Sequence, residues 1–261
     1  KFGNYYKNRA NTVIFNEKIK RLIIKDLINK KYIDNSKNIL DCGAFIGNTA
    51  LPVSKMINGT IYAIDPSNKN LNLITKLAEC NNIKNIITYD FALSDKKEIL
   101  YTNGVMESNC VFQSNKKTNN YKPPHNLPHG SIVNNSVKVK ATTIDDLYKE
   151  KKIENLSMLH LDLEGFEYAA LKSSKITINA EKPLIIWENH IDILNKETRK
   201  LEYKQIGELL RTYNYSSYII NEASGGNPNC RNFISICEEN KKKFESCMKD
   251  YINANTLIKF S

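Results

Sequence analysis

Apolar positions along the chain follow two periods. Ile19, Leu22, Ile23 and Leu27 recur at helical spacing between Glu17 and Tyr32, with lysines on the opposite face. Ile39 and Leu40 read as the end of a buried strand that leaves through the tight turn Asp41-Cys42-Gly43. Ala44 to Gly47 lead into a helix that Asn48 or Thr49 can cap, with Pro52 near its start, where a missing N–H is best tolerated. Thr60 to Ile64 is a second strand, Leu71, Ile74, Leu77 and Ala78 mark a helix, and Asn85 to Asp90 is a third strand. Strand, helix, strand, helix, strand predicts a parallel sheet. Val137 to Ala141 alternates like a strand and Thr143 to Leu147 starts a short helix. Met158 to Leu163 and Pro183 to His190 read as buried strands with polar ends, and Gln205 to Tyr213 as an amphipathic helix. Ser217 to Ile220 and Asn232 to Cys237 form a hairpin around Ala223 to Pro228, and the lysine run at Lys241 opens a last helix.

Asn103 to Ser136 breaks this pattern. It is long, polar and rich in asparagine, with Pro123, Pro124 and Pro128, as expected of an insert or lid. The domain reading is therefore an N-terminal segment and helix over 1–37 and one α/β domain over 38–261, with the insert at 103–136.

Composition narrows the function classes. At 41% hydrophobic residues the 261-residue chain can bury a core, and no apolar run is long enough to span a membrane. The six cysteines include no C-x-x-C pair, which points to free thiols in a reducing, cytoplasmic compartment (host cytoplasm for a viral protein) rather than to a disulfide framework or zinc site. A net charge of +10 is compatible with nucleic acid, but the lysines are dispersed among asparagines and isoleucines, so no nucleic-acid partner is expected. The chain opens on Lys1, as expected of part of a larger multidomain protein.

The chemistry concentrates at predicted strand ends. Gly43 and Gly47 keep side chains out of a turn where a nucleotide can approach the backbone. The spacing is G-x-x-x-G, not G-x-G-x-x-G, which favours a nucleoside without a pyrophosphate. Asp41 can bond a ligand amine or hydroxyl, and Asp65, ending the second strand, can meet ribose hydroxyls; its bland alternative is a helix cap. Asp90 ends the third strand. Met158, His160 and Asp162 share a strand face, as do Glu188 and His190.

Taken together, Asp41-Cys42-Gly43-Ala44-Phe45-Ile46-Gly47-Asn48, Ala63-Ile64-Asp65-Pro66, Ala92-Leu93-Ser94-Asp95, Thr143-Ile144-Asp145-Asp146-Leu147, Asp162-Leu163-Glu164-Gly165-Phe166-Glu167 and Glu188-Asn189-His190 resemble the FkbM-type methyltransferases. The resemblance implies a Rossmann-like class I fold, a seven-stranded mostly parallel sheet with helices on both faces. It implies S-adenosylmethionine bound over Gly43, Ala44, Phe45, Gly47 and Asn48, with Asp65 and Pro66 at the ribose and Asp90, Phe91 and Ala92 near adenine. It implies O-methylation of a saccharide or glycan, such as a 6-deoxyhexose. Three departures stand out: Asp65 where Glu is usual, His160 where Lys is common, and Lys172-Ser173-Ser174 in place of a Lys-Gly-small turn. For the proton of the acceptor hydroxyl the candidates are Asp162, His190, Glu164 and Glu188, with Asp162 or His190 as base and the others orienting the acceptor. The same groups can bind a divalent metal, but an obligatory metal is not expected. A methyltransferase for RNA or protein would need a basic groove beside these acids. A binding protein or NAD-dependent oxidoreductase would share only the fold.

Overall fold

The computed structural model describes residues 18–102, 111–112, 137–190, 199–224 and 227–260. Helix α1 (Lys18–Asn29) precedes β1 (Asn38–Cys42), α2 (Ala50–Ser54), β2 (Ile61–Ile64), α3 (Asn68–Cys80) and β3 (Ile86–Tyr89). Short strands β4 (Ala92–Leu93), β5 (Glu98–Thr102), β6 (Val111–Phe112) and β7 (Val137–Thr142) follow, then α4 (Ile144–Lys149), β8 (Leu156–Leu161), α5 (Glu167–Lys172), α6 (Lys175–Glu181) and β9 (Leu184–His190). Helix α7 (Arg199–Thr212) leads to the hairpin β10 (Tyr215–Ser224) and β11 (Asn227–Cys237), and the chain closes with α8 (Lys241–Cys247), α9 (Lys249–Asn253) and β12 (Leu257–Phe260).

The main sheet has the order β12-β10-β11-β9-β8-β1-β2-β3. From β3 through β9 all pairings are parallel; β11 runs antiparallel to β9 and β10, and β12 antiparallel to β10. This is the expected α/β class with one correction: the sheet has eight strands, because Leu257–Phe260 adds an edge strand where only a terminal helix was read. A separate sheet of order β4-β7-β5-β6 was also not expected. Of its strands only β7 carried a legible alternation. The hairpin strands are longer than predicted and run to Ser224 and from Asn227.

The period of two sorts the side chains of each strand onto opposite faces. Ile39, Met158, Ile186, Ile234 and Tyr218 pack under α1, α2, α3 and α8. Leu40, Leu159, Trp187 and Phe233 pack under α4 to α7. Helix α1 belongs fully to the first layer, through Ile23, Ile24, Leu27 and Ile28. Here the sequence reading fails for one lysine: Lys20, assigned to the solvent face, is only 1% exposed.

Apart from Val111–Phe112, which pairs with Tyr101 and Thr102, the insert expected at 103–136 lies outside the described residues. Among the described residues no helix is long and apolar enough to cross a membrane.

Trp187 and Phe233, paired across β9 and β11, stack with ring centroids 4.0 Å apart at 7°, and the Trp187 indole N–H donates to Ser235 Oγ at 2.9 Å. Phe233→Ala should therefore lower stability by ~3–5 kcal/mol, seen as a lower urea midpoint at unchanged slope.

Candidate active site

The carboxyl ends of β1, β2, β3, β8 and β9 open onto one edge of the main sheet, and there the predicted residues gather. The turn after β1 is held against the end of β2. Gly43 and Ala44 donate their N–H groups to the Ile64 carbonyl, both at 2.9 Å, and the Phe45 N–H donates to Asp65 Oδ2 at 2.9 Å. Gly43, Phe45 and Gly47 all have positive φ, at 80°, 47° and 84°. Only glycine adopts such angles without strain, so Phe45 is held there by its neighbours.

The reason for Gly43 differs from the expected one. A Cβ there would lie 1.8 Å from the Asp162 carbonyl oxygen, so it is protein backbone that claims the space. The Asp162 N–H also donates to the Cys42 carbonyl at 2.9 Å. The turn after β1 and the turn after β8 are thus in direct contact. At Gly47 a Cβ would meet Leu51 and Ile74 side chains. Asn48 is partly buried just before α2, and Thr49 stands at the N-cap without a side-chain cap bond.

Of the two roles weighed from sequence, the helix-capping role of Asp65 is the one seen in its hydrogen bonds. Its Oδ1 accepts from the Ser67 N–H at 2.8 Å and from Asn70 Nδ2 at 3.1 Å, which anchors the start of α3. Oδ2 accepts from Phe45. A carboxylate offers about four acceptor positions. Three are occupied, two on Oδ1 and one on Oδ2. Pro66 follows it, partly buried. Burial pushes the Asp65 carboxyl up to about 6 despite its three donors. Past β3, Asp90 is exposed, while Phe91 stacks on Tyr89 at 6.3 Å and Ala92 is buried in β4. The glycine turn, the Asp65 carboxylate and the Phe91 ring line one strand edge, a donor and acceptor set that fits an adenosine group.

Asp41 is placed differently from the expectation. It is buried, and Oδ1 lies 2.7 Å from His160 Nδ1, its register partner across β1 and β8. The carboxylate therefore serves the sheet interior rather than the surface of the turn.

The acids of β8 and β9 do meet. Asp162 and Glu188 share a hydrogen bond, and the Cys230 thiol donates to Glu188 Oε1 at 2.6 Å. Burial, followed by the Glu188 carboxylate, holds the Asp162 carboxyl well above its ordinary range. Burial also raises Glu188, but the bond from Asp162 opposes that rise. The two carboxyls form one hydrogen-bonded pair, and their titration belongs to both together. Glu164 sits exposed on the following turn at φ 53°, and its charge acts on both acids. Backbone of His190 pairs with Cys230; its side chain lies outside the described residues. Among the described residues no group of three or more His, Cys, Asp or Glu is arranged to hold a metal ion.

Four residues escaped the sequence reading. Glu167 is buried and clamps the acidic turn, accepting from the Leu163 N–H at 2.6 Å and the Gly165 N–H at 2.9 Å. Cys230 reaches Glu188 from β11. Glu222, on β10, accepts from the Ile19 N–H and the Lys20 N–H. Lys20 lies at the start of α1, and its charge lowers both Asp162 and Glu188. Its signal was present: Lys20, Ile24 and Leu27 stand at i, i+4 and i+7, on one helix stripe.

A model of the methyltransferase FkbM domain matches residues 41–217, more than half of the chain. The crystal structure of an FkbM methyltransferase from Methylobacillus flagellatus is similar with a TM-score of 0.50 at 16% identity, covering 77% of this chain and 44% of that one. The chain thus spans less than half the length of that relative, and the likeness is one of fold. An rRNA methylase from Streptococcus thermophilus (TM-score 0.46, 10% identity, 82% of this chain and 94% of that one) and an O-methyltransferase from Bacillus cereus in complex with SAH (TM-score 0.45, 10% identity, 84% and 81%) are more distant. No curated protein sequence matches the chain.

Asp65 gives this edge of the sheet a pH signature. With a folded value of about 6 against 3.8 for the ordinary carboxyl, the folded state holds this proton where the unfolded chain has lost it. The resulting stabilisation is full below about pH 3.8 and lost as pH rises through about 6. Relative to Asp65→Asn, the wild type should therefore lose stability between these limits, by up to ~1.4 kcal/mol per pH unit. Chemical denaturation of both proteins at several pH values measures this; a difference independent of pH would place Asp65 in the ordinary carboxylate range.

Proposed function

The chain belongs to the FkbM methyltransferase family, and we propose that it transfers a methyl group from S-adenosylmethionine to a hydroxyl oxygen of a saccharide. When bound, S-adenosylmethionine supplies a sulfonium-linked methyl carbon that is open to displacement by an oxygen nucleophile. In this reading Gly43 to Asn48 form the floor for the cofactor, Asp65 accepts from a ribose hydroxyl, and the Asp90–Ala92 segment borders the adenine.

The observation that carries the acceptor reading is the hydrogen-bonded Asp162–Glu188 pair at the ends of adjacent strands. A sugar hydroxyl is a weak nucleophile until its proton has an acceptor. In this reading Glu188 accepts that proton, and Asp162 beside it accepts from a neighbouring hydroxyl of the acceptor and orients it. As the new C–O bond forms and the C–S bond breaks, the hydroxyl proton passes to Glu188. The products are a methyl ether and S-adenosylhomocysteine. This differs from the sequence expectation, in which Asp162 or His190 was the base. An edge rich in carboxylates suits a neutral polyol, whose hydroxyls donate to them, and repels the phosphates of RNA.

The test is methyl transfer from labelled cofactor to a panel of free and glycan-linked sugars, with RNA as a control. Glu188→Gln should lower kcat by at least about tenfold, while the affinity for S-adenosylhomocysteine measured by calorimetry stays nearly constant. Asp162→Asn should mainly raise KM for the sugar. Methylation of RNA but not of sugars would refute the acceptor class.

A further inference from the structure

Helices α1 and α2 both start at the sheet edge that carries the candidate site. For α2 the reason is connectivity, since it follows β1 through the glycine turn. For α1 it is a cap from a distant strand. Glu222 accepts from the Ile19 N–H with both oxygens, at 3.0 and 2.9 Å, and from the Lys20 N–H at 3.1 Å. Strand β10 runs parallel to β9, because each is antiparallel to β11, so Glu222 near its end stands at the same edge. A carboxylate at a helix N-terminus satisfies otherwise orphaned donors, which pins the first turn of α1 there. Both helices cover the same face of the sheet and run away from that edge as neighbours.

Between them lies a cleft of about 190 Å³. Its α1 wall includes Lys18, Arg21, Leu22 and Lys25, a helix stripe at i, i+3, i+4 and i+7 that extends about 10 Å. Pro52 and Met56 face it from α2, and Asn48, where the glycine turn ends, lies at its mouth. Leu22 is 41% exposed and Met56 36%, and Pro52 is exposed as well. The fold therefore leaves apolar side chains from two helices facing one another in solvent. A cluster of exposed apolar side chains rimmed by charge is the pattern of a binding groove. The rim has one sign: no Asp or Glu is among the described residues that line the cleft.

We propose that this cleft holds the apolar chain of an anionic amphiphile, and that the saccharide acceptor reaches the site as a glycolipid whose sugar is joined to that chain through a phosphate. The second half rests on the sugar-methylation reading above; the first half stands without it. Size selects a single chain. An apolar cavity of about 150 Å³ holds benzene, so this cleft takes about six or seven carbons. One turn of a partner helix about 10 Å across fills roughly 400 Å³ and does not fit. Charge selects an outside molecule. Residues 1–17 carry Lys1, Lys7 and Arg9 against Glu17, and residues 103–136 carry Lys116, Lys117 and Lys122 against Glu107, so neither complements a basic rim. A second copy would bring the same basic stripe. Phosphate suits lysine and arginine side by side, and their stems can cover the chain while their charges stay in water. Position supplies the link to the reaction. The mouth opens at the edge where Asp162 and Glu188 meet, so a sugar at the acids, a phosphate beside Lys18 and Arg21, and a chain between Leu22 and Met56 follow one line.

The first test needs neither cofactor nor sugar. Binding of n-alkyl phosphates to the full chain, below their micelle concentrations, is measured by calorimetry. Affinity should rise about fourfold per methylene and level off beyond about seven carbons. Octyl glucoside, which has no charge, should bind at least about tenfold more weakly than octyl phosphate. Leu22→Glu should weaken octyl phosphate at least about tenfold while the affinity for S-adenosylhomocysteine stays constant; Met56→Glu repeats the test from the other wall where Leu22→Glu does not fold. Four results overturn the proposal: no binding of octyl phosphate, equal binding of octyl glucoside, unchanged binding in the folded variant, or displacement of octyl phosphate by S-adenosylhomocysteine, which would assign the cations to the cofactor's carboxylate. In the second test, a sugar linked to octyl phosphate should show a KM at least about tenfold below that of the free sugar in the wild type, and Leu22→Glu should abolish the difference. Equal KM values in the wild type refute the glycolipid acceptor. Alkyl phosphate binding without methylation of any sugar refutes the saccharide reading and leaves the cleft's ligand class in place.

Discussion

The contact between Gly43 and the Asp162 carbonyl is the constraint on which the site depends. It brings the turn that follows β1 against the turn that follows β8, and the Asp162 N–H locks them with a bond to the Cys42 carbonyl. One turn carries the backbone that can border a nucleoside; the other carries the first of the paired acids. Transfer chemistry between two bound molecules needs their reacting atoms held in contact. Here that distance is set by main chain, the least adjustable part of the structure, and every other site residue is arranged around it. Glu167 makes the second turn rigid from within by accepting from Leu163 and Gly165.

Burial is what gives the carboxylates their differing characters. Asp65 is screened from water but receives three donors, so it remains an acceptor near neutral pH. Glu167 is also enclosed, and burial raises it well above its ordinary range. Asp162 and Glu188 are close enough to share a hydrogen bond, and burial raises both. The Cys230 thiol bond favours charge on Glu188 specifically. The site thus orders its acids by environment, although sequence alone presents them as equivalent residues at strand ends.

Much of this was legible from the chain. The parallel core from β1 to β9 followed from apolar runs that end in polar residues, because strands covered on both faces have to read that way. Asp65 and the acids after β8 and β9 were found by the same logic. The rest depended on distance along the chain. Gly43 gave no sign that its neighbour would be a carbonyl 119 positions later. Cys230 read as an inert thiol because its partner lies on another strand. Lys20 was assigned to solvent by residue type, although its place on the apolar stripe of α1 indicated otherwise. The strands β4, β5 and β6 were too short or too polar for a period to show, and β12 follows a helical stretch without a turn signal strong enough to mark it.

The cap that Glu222 places on α1 also sets an order of assembly. Helix α1 leaves the ribosome before any strand of the sheet, yet the carboxylate that seats its first turn belongs to β10, near the other end of the described fold. Isolated helices of this length are marginal in water. Until the hairpin of β10 and β11 exists, the helix lacks its anchor, and Glu188 lacks the Cys230 thiol beside it. The parallel core can therefore form ahead of the chemistry it is to support, which waits for the hairpin. A chain interrupted before that hairpin holds the glycine turn and Asp65 without the thiol that meets Glu188.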